Sequence, residues 1–376
     1  MTRVLVVGGG VAGLLTVQAL LDRSDDLADD PAGMVEGPLV VTLAVHAPGH
    51  ATASRSGGLA LRYASTDPRA DGWATRSADL AVTLAARHPH LRPHVRSARA
   101  VLVSRRGPVV GHAGREVDPA ALGLGSHGWA LQAAPSPQWD TCALLPRWPV
   151  ALAADSRVRV VDLPERVRSR EDLTALHDRH GADVAVACLG LGAHVLGDTR
   201  LHGRLGVLLR GPLPAGTVHA AAAVVDEDET LRPRYTVPHS SPGGGDDHLH
   251  VGGTYLPVED PADWDDPRRL REQALAEVPA LLADAAALFP ALRGWSPDGV
   301  PWWQLRPVRD TVALGRVDPA LVGGRDVVVS HGWGGSGWTI GPAVAEEVAL
   351  SVLPWADGHS GEAGLDPLAA YGWWRP

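Results

Sequence analysis

RVLVVGGGVAGLLTVQALL (Arg3–Leu21) decides the fold of this chain. Arg3–Val7 is a continuous β-branched and leucine run, the composition of a strand covered on both faces. A glycine turn follows at once, and Leu14–Leu21 has the apolar spacing of a helix. Gly8, Gly10 and Gly13 thus form GxGxxG between a strand and a helix. The first glycine permits a tight turn, the second lets the backbone approach a pyrophosphate, and the third lets helix and strand pack closely. Free N–H groups and the positive end of the helix dipole favour phosphate at such a turn. A dinucleotide is the expected ligand, held by Gly8, Gly9, Gly10, Ala12 and Gly13. A polar connection, Arg23–Gly37, leads to a second apolar run, Leu39–Val45, so the opening unit is βαβ with parallel strands. The second strand of such units ordinarily ends in Asp or Glu, which accepts hydrogen bonds from ribose hydroxyls; here His46 stands. A neutral imidazole accepts one such bond but not a charge-assisted pair. His46 therefore reads equally as a ribose partner or as a loop histidine.

Further along, Pro-, His- and Arg-rich sequence between Arg87 and Pro119 predicts loops with short strands such as Val101–Val103. Arg157–Leu163 and Ala182–Cys188 read as strands, the second closing on a glycine-rich LGLG. From Leu205 to about Tyr255, short alternating strands separated by turn residues, Ser240–Gly245 among them, predict an antiparallel sheet. A helix is expected over Asp266–Leu288, then the segment Trp302–Pro307, a strand at Val327–Ser330, a glycine loop, and a helix over Gly341–Val352. Nucleotide-type βα sequence therefore recurs at the start, middle and end, with β-rich sequence between. The expected class is α/β: a Rossmann-type dinucleotide-binding domain interleaved with a β-rich, antiparallel substrate-binding domain. The expected division gives residues 1–60, 150–200 and 300–353 to the former, 61–149 and 201–299 to the latter, and 354–376 to a C-terminal tail.

Composition narrows the function. Acidic residues outnumber basic ones, 43 to 34, for a formal charge of −9, and every basic residue is Arg. Without basic clusters, nucleic acid and anionic membrane surfaces are poor partners. Cys142 and Cys188 are far apart and outside any CxxC pair, which argues against a thiolate metal site or a redox dithiol. No apolar run approaches the ~20 residues of a membrane span. Neither a secretory signal nor a peroxisomal address is recognisable, so a cytoplasmic protein is expected. The histidines, His239, His248, His250 and His331 included, show no HExxH or facial-triad spacing, and no metal is expected.

Four further segments resemble one family, the D-amino-acid oxidases and glycine oxidases. They are ATASRSGGLA (Ala51–Ala60), ADVAVACLGLGA (Ala182–Ala193), LRPVRD (Leu305–Asp310) and SHGWGGSGWTIG (Ser330–Gly341). They stand in the family's order and approximate spacing, and cover the chain to about Leu353. The resemblance implies FAD, bound noncovalently in extended form. It implies cofactor contacts at Thr52, Gly58, Leu59 and Gly190, and an adenine contact through the backbone of Val167. Gly334, Ser336, Gly337, Trp338 and Thr339 would lie at the flavin, where a nest of backbone N–H groups stabilises the negative charge that develops on reduction. The first arginine of LRPVR, Arg306, would pair with a substrate carboxylate, for which a guanidinium fork is suited. Tyr235, in RYTVPH, would meet the same carboxylate, and the Gly335 carbonyl would orient the substrate amine. Arg309 is expected to be structural. Leu231 replaces a lid tyrosine carried by several members, which suggests a more apolar pocket. With Trp302, Trp303, Trp333 and Trp338 beside the motifs, an aromatic or bulky substrate is conceivable.

The implied activity is oxidation of an amine-bearing carbon, as in a D-amino acid, to an imine and then a keto acid, with dioxygen reduced to hydrogen peroxide. The implied partners are a small amine or amino acid and dioxygen; a homodimer is one admissible assembly. Three alternatives differ in class: a glycine/sarcosine-type or secondary-metabolite amine oxidase on the same scaffold, a flavin monooxygenase, and a flavin-binding protein without catalysis. The monooxygenase lacks support from a second strand–GxGxxG–helix, since Gly123-Leu124-Gly125 has neither flank.

Overall fold

The structure, a computed structural model, describes residues 1–29, 38–46, 52–61, 67–109, 113–125, 128–214, 221–224, 234–239, 247–353 and 373–374. Leu231, Ser240–Gly245 and most of the expected tail lie outside the described residues. The first half of the chain runs β1 (Thr2–Val7), α1 (Val11–Asp29), β2 (Leu39–Val45), α2 (Ala70–Arg87), β3 (Val95–Ala98), β4 (Ala100–Ser104), β5 (Gly114–Val117), β6 (Trp129–Ala133), β7 (Ser136–Trp139) and α3 (Thr141–Leu152). It continues through β8 (Val158–Asp162), α4 (Arg170–His180), β9 (Val184–Ala187), β10 (His202–Pro212), β11 (Ala221–Val224), β12 (Tyr235–His239), β13 (His248–Gly252) and β14 (Leu256–Val258). The last elements are α5 (Pro267–Leu288), β15 (Trp302–Val317), β16 (Val327–Trp333), α6 (Gly337–Val352) and β17 (Trp373–Trp374).

One end of the main sheet is parallel, in the order β8-β2-β1-β9-β16. The run RVLVV explains why β1 is central. Val4 and Val6 join a core with α1 and α6, while Leu5 and Val7 join a second core with Leu173 and Leu176 of α4. Both faces are thus covered by helices, as a parallel sheet requires. Chain order reverses on either side of β1, since β2 lies to one side and β9 to the other. The carboxyl ends of such strands open a crevice at the reversal point.

Beyond β16 the sheet is mostly antiparallel, through β15, β10, β13 and β12. Alternation sorts the faces of these strands. Leu205, Val207 and Leu209 of β10, Leu249 and Val251 of β13 and Leu305 of β15 pack on Leu270, Ala274, Leu281 and Leu288 of α5. The opposite face carries Arg204, Gly206, Leu208 and Arg210, paired in register with Arg306, Gln304, Trp302 and His250. β15 serves both halves: Trp302–Val308 pairs with β10, Ala313–Arg316 pairs with β16, and the register breaks between Val308 and Ala313.

The architecture agrees with the α/β expectation, with differences in detail. The connection Arg23–Gly37 is helical as far as Asp29, and α6 begins at Gly337 rather than Gly341. Helices α2 and α3 were not expected. Both bury residues in the core of the parallel half, Trp73 and Leu84 from α2, Leu144 and Trp148 from α3. Ser77 of α2 accepts a hydrogen bond from the Ala343 backbone N–H of α6. Residues 67–152 therefore contribute to both halves rather than to the antiparallel half alone. Among the described residues no helix is long and apolar enough to cross a membrane.

Candidate active site

Because β1, β2, β9 and β16 are parallel, the residues that follow them arrive at one edge. Gly8 follows β1, His46 follows β2, Gly190 follows β9 and Gly334 follows β16. Sequence positions more than 300 residues apart are thus brought to one edge of the sheet.

The first turn has the shape of a pyrophosphate cradle. Gly8 has φ 129°, and a Cβ there would lie 2.2 Å from the Cys188 carbonyl oxygen. A Cβ on Gly13 would lie 1.8 Å from the Gly8 carbonyl oxygen, so helix and turn are in contact that only glycine allows. The Gly8 N–H is used by the Ala44 carbonyl, and the Gly10 carbonyl accepts from Leu14 to open α1. The N–H groups of Val11, Ala12 and Gly13 stand in the first turn, which no intrahelical carbonyl serves. No acidic side chain occupies that turn, so nothing there repels an anion.

His46 is held by a contact of its Nδ1 with the Leu163 carbonyl, 3.2 Å away. A carbonyl only accepts, so Nδ1 carries the proton in the neutral ring and Nε2 is left as an acceptor. That is the polarity a ribose hydroxyl requires. The Val167 side chain is buried beside Leu5, Val7 and Ala44, so any contact with adenine falls to its backbone.

The turn Thr52–Arg55 and the residues after it pack under the start of α6. The Trp338 indole donates to the Ala53 carbonyl, the Thr339 hydroxyl donates to the Leu61 carbonyl, and Thr141 of α3 donates to the Ser54 and Ser56 carbonyls. Gly58 accepts from the Trp139 N–H, and Leu59 bridges to Gln138. The Thr52 side chain lies outside the described residues. After β16 the Gly334 N–H donates to the Pro307 carbonyl, tying the glycine loop to LRPVR. Gly335 is exposed, Ser336 is buried, and Gly337 starts α6. Gly190 stands 4.0 Å, measured from its would-be Cβ, from the Pro307 ring.

Arg306 and Tyr235 meet. The guanidinium lies over Gly206, where a Cβ would come 2.5 Å from Cζ, and the Tyr235 ring lies over Gly252 in the same way. Nη1 of Arg306 donates to the Thr254 carbonyl, and the guanidinium charge reaches the Tyr235 phenol. Burial pushes the Tyr235 phenol up from its ordinary value, and Arg306 pulls it back in part. It is neutral and a donor at physiological pH.

Three neighbours were not anticipated from sequence. Thr254 is fully buried and clasps β10, accepting from the Val207 N–H at 2.9 Å and donating to the Leu205 carbonyl at 2.7 Å. Tyr255 lies under Arg306, 5.5 Å from ring centroid to Cζ, and its hydroxyl is 3.2 Å from the would-be Cβ of Gly334. Burial raises its phenol as well. The one signal for this pair was the sequence HVGGTY (His250–Tyr255), in which two glycines precede two hydroxyl residues. Third, Asp198 is buried between Arg309 at 3.0 Å and His331 at 2.7 Å. Burial alone would raise its carboxyl; the His331 hydrogen bond and the Arg309 charge outweigh it and hold Asp198 below the ordinary value. Arg309 therefore ties β15 to β16 from beneath, three residues past Arg306.

The structure also brings together His239, His248 and His250, which the spacing did not connect. The three stand on the face that carries Tyr235 and Arg306.

Comparison with known proteins fits this geometry. The sequence profile of the FAD dependent oxidoreductase family (DAO) matches residues 3–350. Glycine oxidase from Geobacillus kaustophilus is similar in structure, with TM-score 0.65 and 17% identity over 94% of this chain and 95% of that one. Iminodiacetate oxidase from Chelativorans sp. BNC1 gives TM-score 0.62 and 17% identity, covering 93% and 94%. L-alpha-glycerophosphate oxidase from Mycoplasma pneumoniae, solved with FAD bound, gives TM-score 0.63 and 16% identity, covering 94% and 96%. No curated protein sequence matches. With the profile spanning nearly the whole chain and the glycine cradle suited to its cofactor, the chain belongs to the DAO family of FAD-dependent oxidoreductases.

Proposed function

We propose that this oxidoreductase acts on a small carboxylated amine of the D-amino-acid type, converting CH–NH2 to an imine that hydrolyses to a keto acid and ammonia. Dioxygen takes up the two electrons and two protons as hydrogen peroxide. The observation that carries the reading is the junction of Arg306 with the Tyr235 hydroxyl, on a strand tied by Pro307 to the glycine loop Gly334–Gly335.

When bound, FAD supplies the hydride acceptor and the route of electrons to dioxygen. Everything else falls to the chain. Arg306 presents a planar fork to the carboxylate, and Tyr235 adds one O–H donor. Thr254 holds Nη1 and so fixes the plane of the fork. The exposed Gly335 would offer its carbonyl to the amine. Orientation of this kind can supply roughly 7–11 kcal/mol of a barrier. No protein base is required if the amine arrives neutral, since the hydride leaves from carbon and the nitrogen lone pair forms the C=N bond.

The test is an anaerobic screen for loss of flavin absorbance with D-amino acids, L-amino acids, N-methyl glycine and cyclic imino acids, followed by peroxide detection in air. Bleaching by a carboxylated amine with stoichiometric peroxide is expected. If no amine bleaches the flavin, the amine-oxidase reading is wrong.

A further inference from the structure

We infer that His239, His248 and His250 form a binding site for one divalent transition-metal ion of the zinc class, outside the residues that would hold flavin or substrate. The register of two strand pairs builds it. His239, the last residue of β12, lies directly opposite His248, the first of β13, and His250 follows on the same face two residues later. The rings converge: His239 and His250 have centroids 4.3 Å apart, and His248 lies 4.8 Å from each. One ligand nitrogen from each residue lies within 4.8 Å of the others. Tetrahedral bonds of ~2.0–2.1 Å put ligand nitrogens roughly 3.3 Å apart, so closure needs at most about 1.5 Å of ring movement.

The chemistry of the donors is specific. His250 is fully buried, and among the described residues neither of its ring nitrogens has a hydrogen-bond partner. A buried imidazole left so is costly, and a ligand would satisfy it. The His239 Nε2 meets the Gln138 amide nitrogen at 3.4 Å, a long contact that ligation through that atom would displace, while half-buried His248 offers a way in. Arg210 stands opposite His250 across β10 and β13. A cation there is opposed by that charge, so bonds rather than field must supply the affinity. This favours imidazole-seeking ions over calcium or magnesium. Three protein ligands leave a fourth tetrahedral position for water. The ion would pin the ends of β12 and β13 that face away from Tyr235 and Gly252, fixing the register that seats the Tyr235 ring.

The test uses FAD-loaded protein without an affinity tag, stripped by a chelator and titrated with Co2+. One equivalent per chain should bind with a visible ligand-field band, displaced by Zn2+, and X-ray absorption of the zinc form should show imidazole scattering. His248→Ala should keep its flavin and weaken Co2+ binding at least about tenfold. His202→Ala, an exposed histidine elsewhere, should change nothing. Absence of a Co2+ band in the wild-type protein overturns the proposal, as does equal binding by H248A. Should H248A fail to fold, the wild-type stoichiometry and scattering decide alone. Because the readout is metal rather than turnover, its failure is separate from failure of the amine-oxidase reading.

Discussion

Arg306 is the residue on which the substrate assignment stands, and its replacement by Ala has a calculable cost. A hydrogen bond to a charged partner contributes ~1.5–3 kcal/mol, and a bidentate fork makes two. Nη1 is already committed to the Thr254 carbonyl, which places the loss at the lower end. About 3–4 kcal/mol corresponds to roughly 10²–10³-fold in kcat/KM. The assay compares an amino acid with the same amine lacking its carboxylate, on wild type and Arg306→Ala, with flavin content measured in both. The expected result is the full loss on the amino acid, little change on the amine, and a yellow protein throughout. Equal losses on both compounds would show that Arg306 shapes the pocket without meeting a carboxylate. A double-mutant cycle with Tyr235→Phe should be non-additive, because the guanidinium and the phenol interact directly.

Asp198→Asn should destabilise by about 3–5 kcal/mol in urea unfolding, since it strands a guanidinium whose side chain is 3% exposed; a cost below ~1 kcal/mol would contradict the network. Gly13→Ala drives a Cβ to 1.8 Å from the Gly8 carbonyl and should weaken FAD binding by at least about 10²-fold, read by flavin fluorescence. Thr254→Val leaves the Leu205 carbonyl and Val207 N–H unpaired for ~1–3 kcal/mol of stability. It should also raise KM for carboxylated substrates more than it lowers kcat; unchanged KM would separate Thr254 from Arg306. Burial lowers the pKa of His331 despite Asp198. The unfolded chain therefore takes up the proton first. Stability from this group is complete above about pH 6.5 and declines below it by up to about 1.4 kcal/mol per pH unit. Asp198, whose pKa is depressed, adds stability that is lost only at still lower pH. A flat unfolding midpoint between pH 7 and 5 would count against a buried neutral His331.

The parallel half was legible because its signals are local: a β-branched run, a glycine turn and a helix in nineteen consecutive residues. Helix α2 was missed although Ala70, Trp73, Ser77, Ala81 and Leu84 carry its buried stripe, because small and polar residues weaken the periodicity. Helix α3 was hidden by Pro146 and Pro149. At the site, Arg306, Tyr235 and the glycine loops could be named from motifs. Thr254, Tyr255 and Asp198 could not, because their roles exist only through strand register and burial. The histidine cluster is the clearest case. No spacing rule joins His239 to His250; only the pairing of β12 with β13 does.

The dual pairing of β15 has a mechanical consequence. A stretch of backbone only a few residues long links Arg306 to the strand that ends in the glycine loop Gly334–Gly335. Shear between the two halves of the sheet would have to be absorbed between Val308 and Ala313, where Arg309 is paired with Asp198, which in turn holds His331. In the proposed reading, substrate anchor and hydride acceptor would therefore move as one part. Selectivity for a longer or shorter substrate must come from residues around this rod, not from a change in its length.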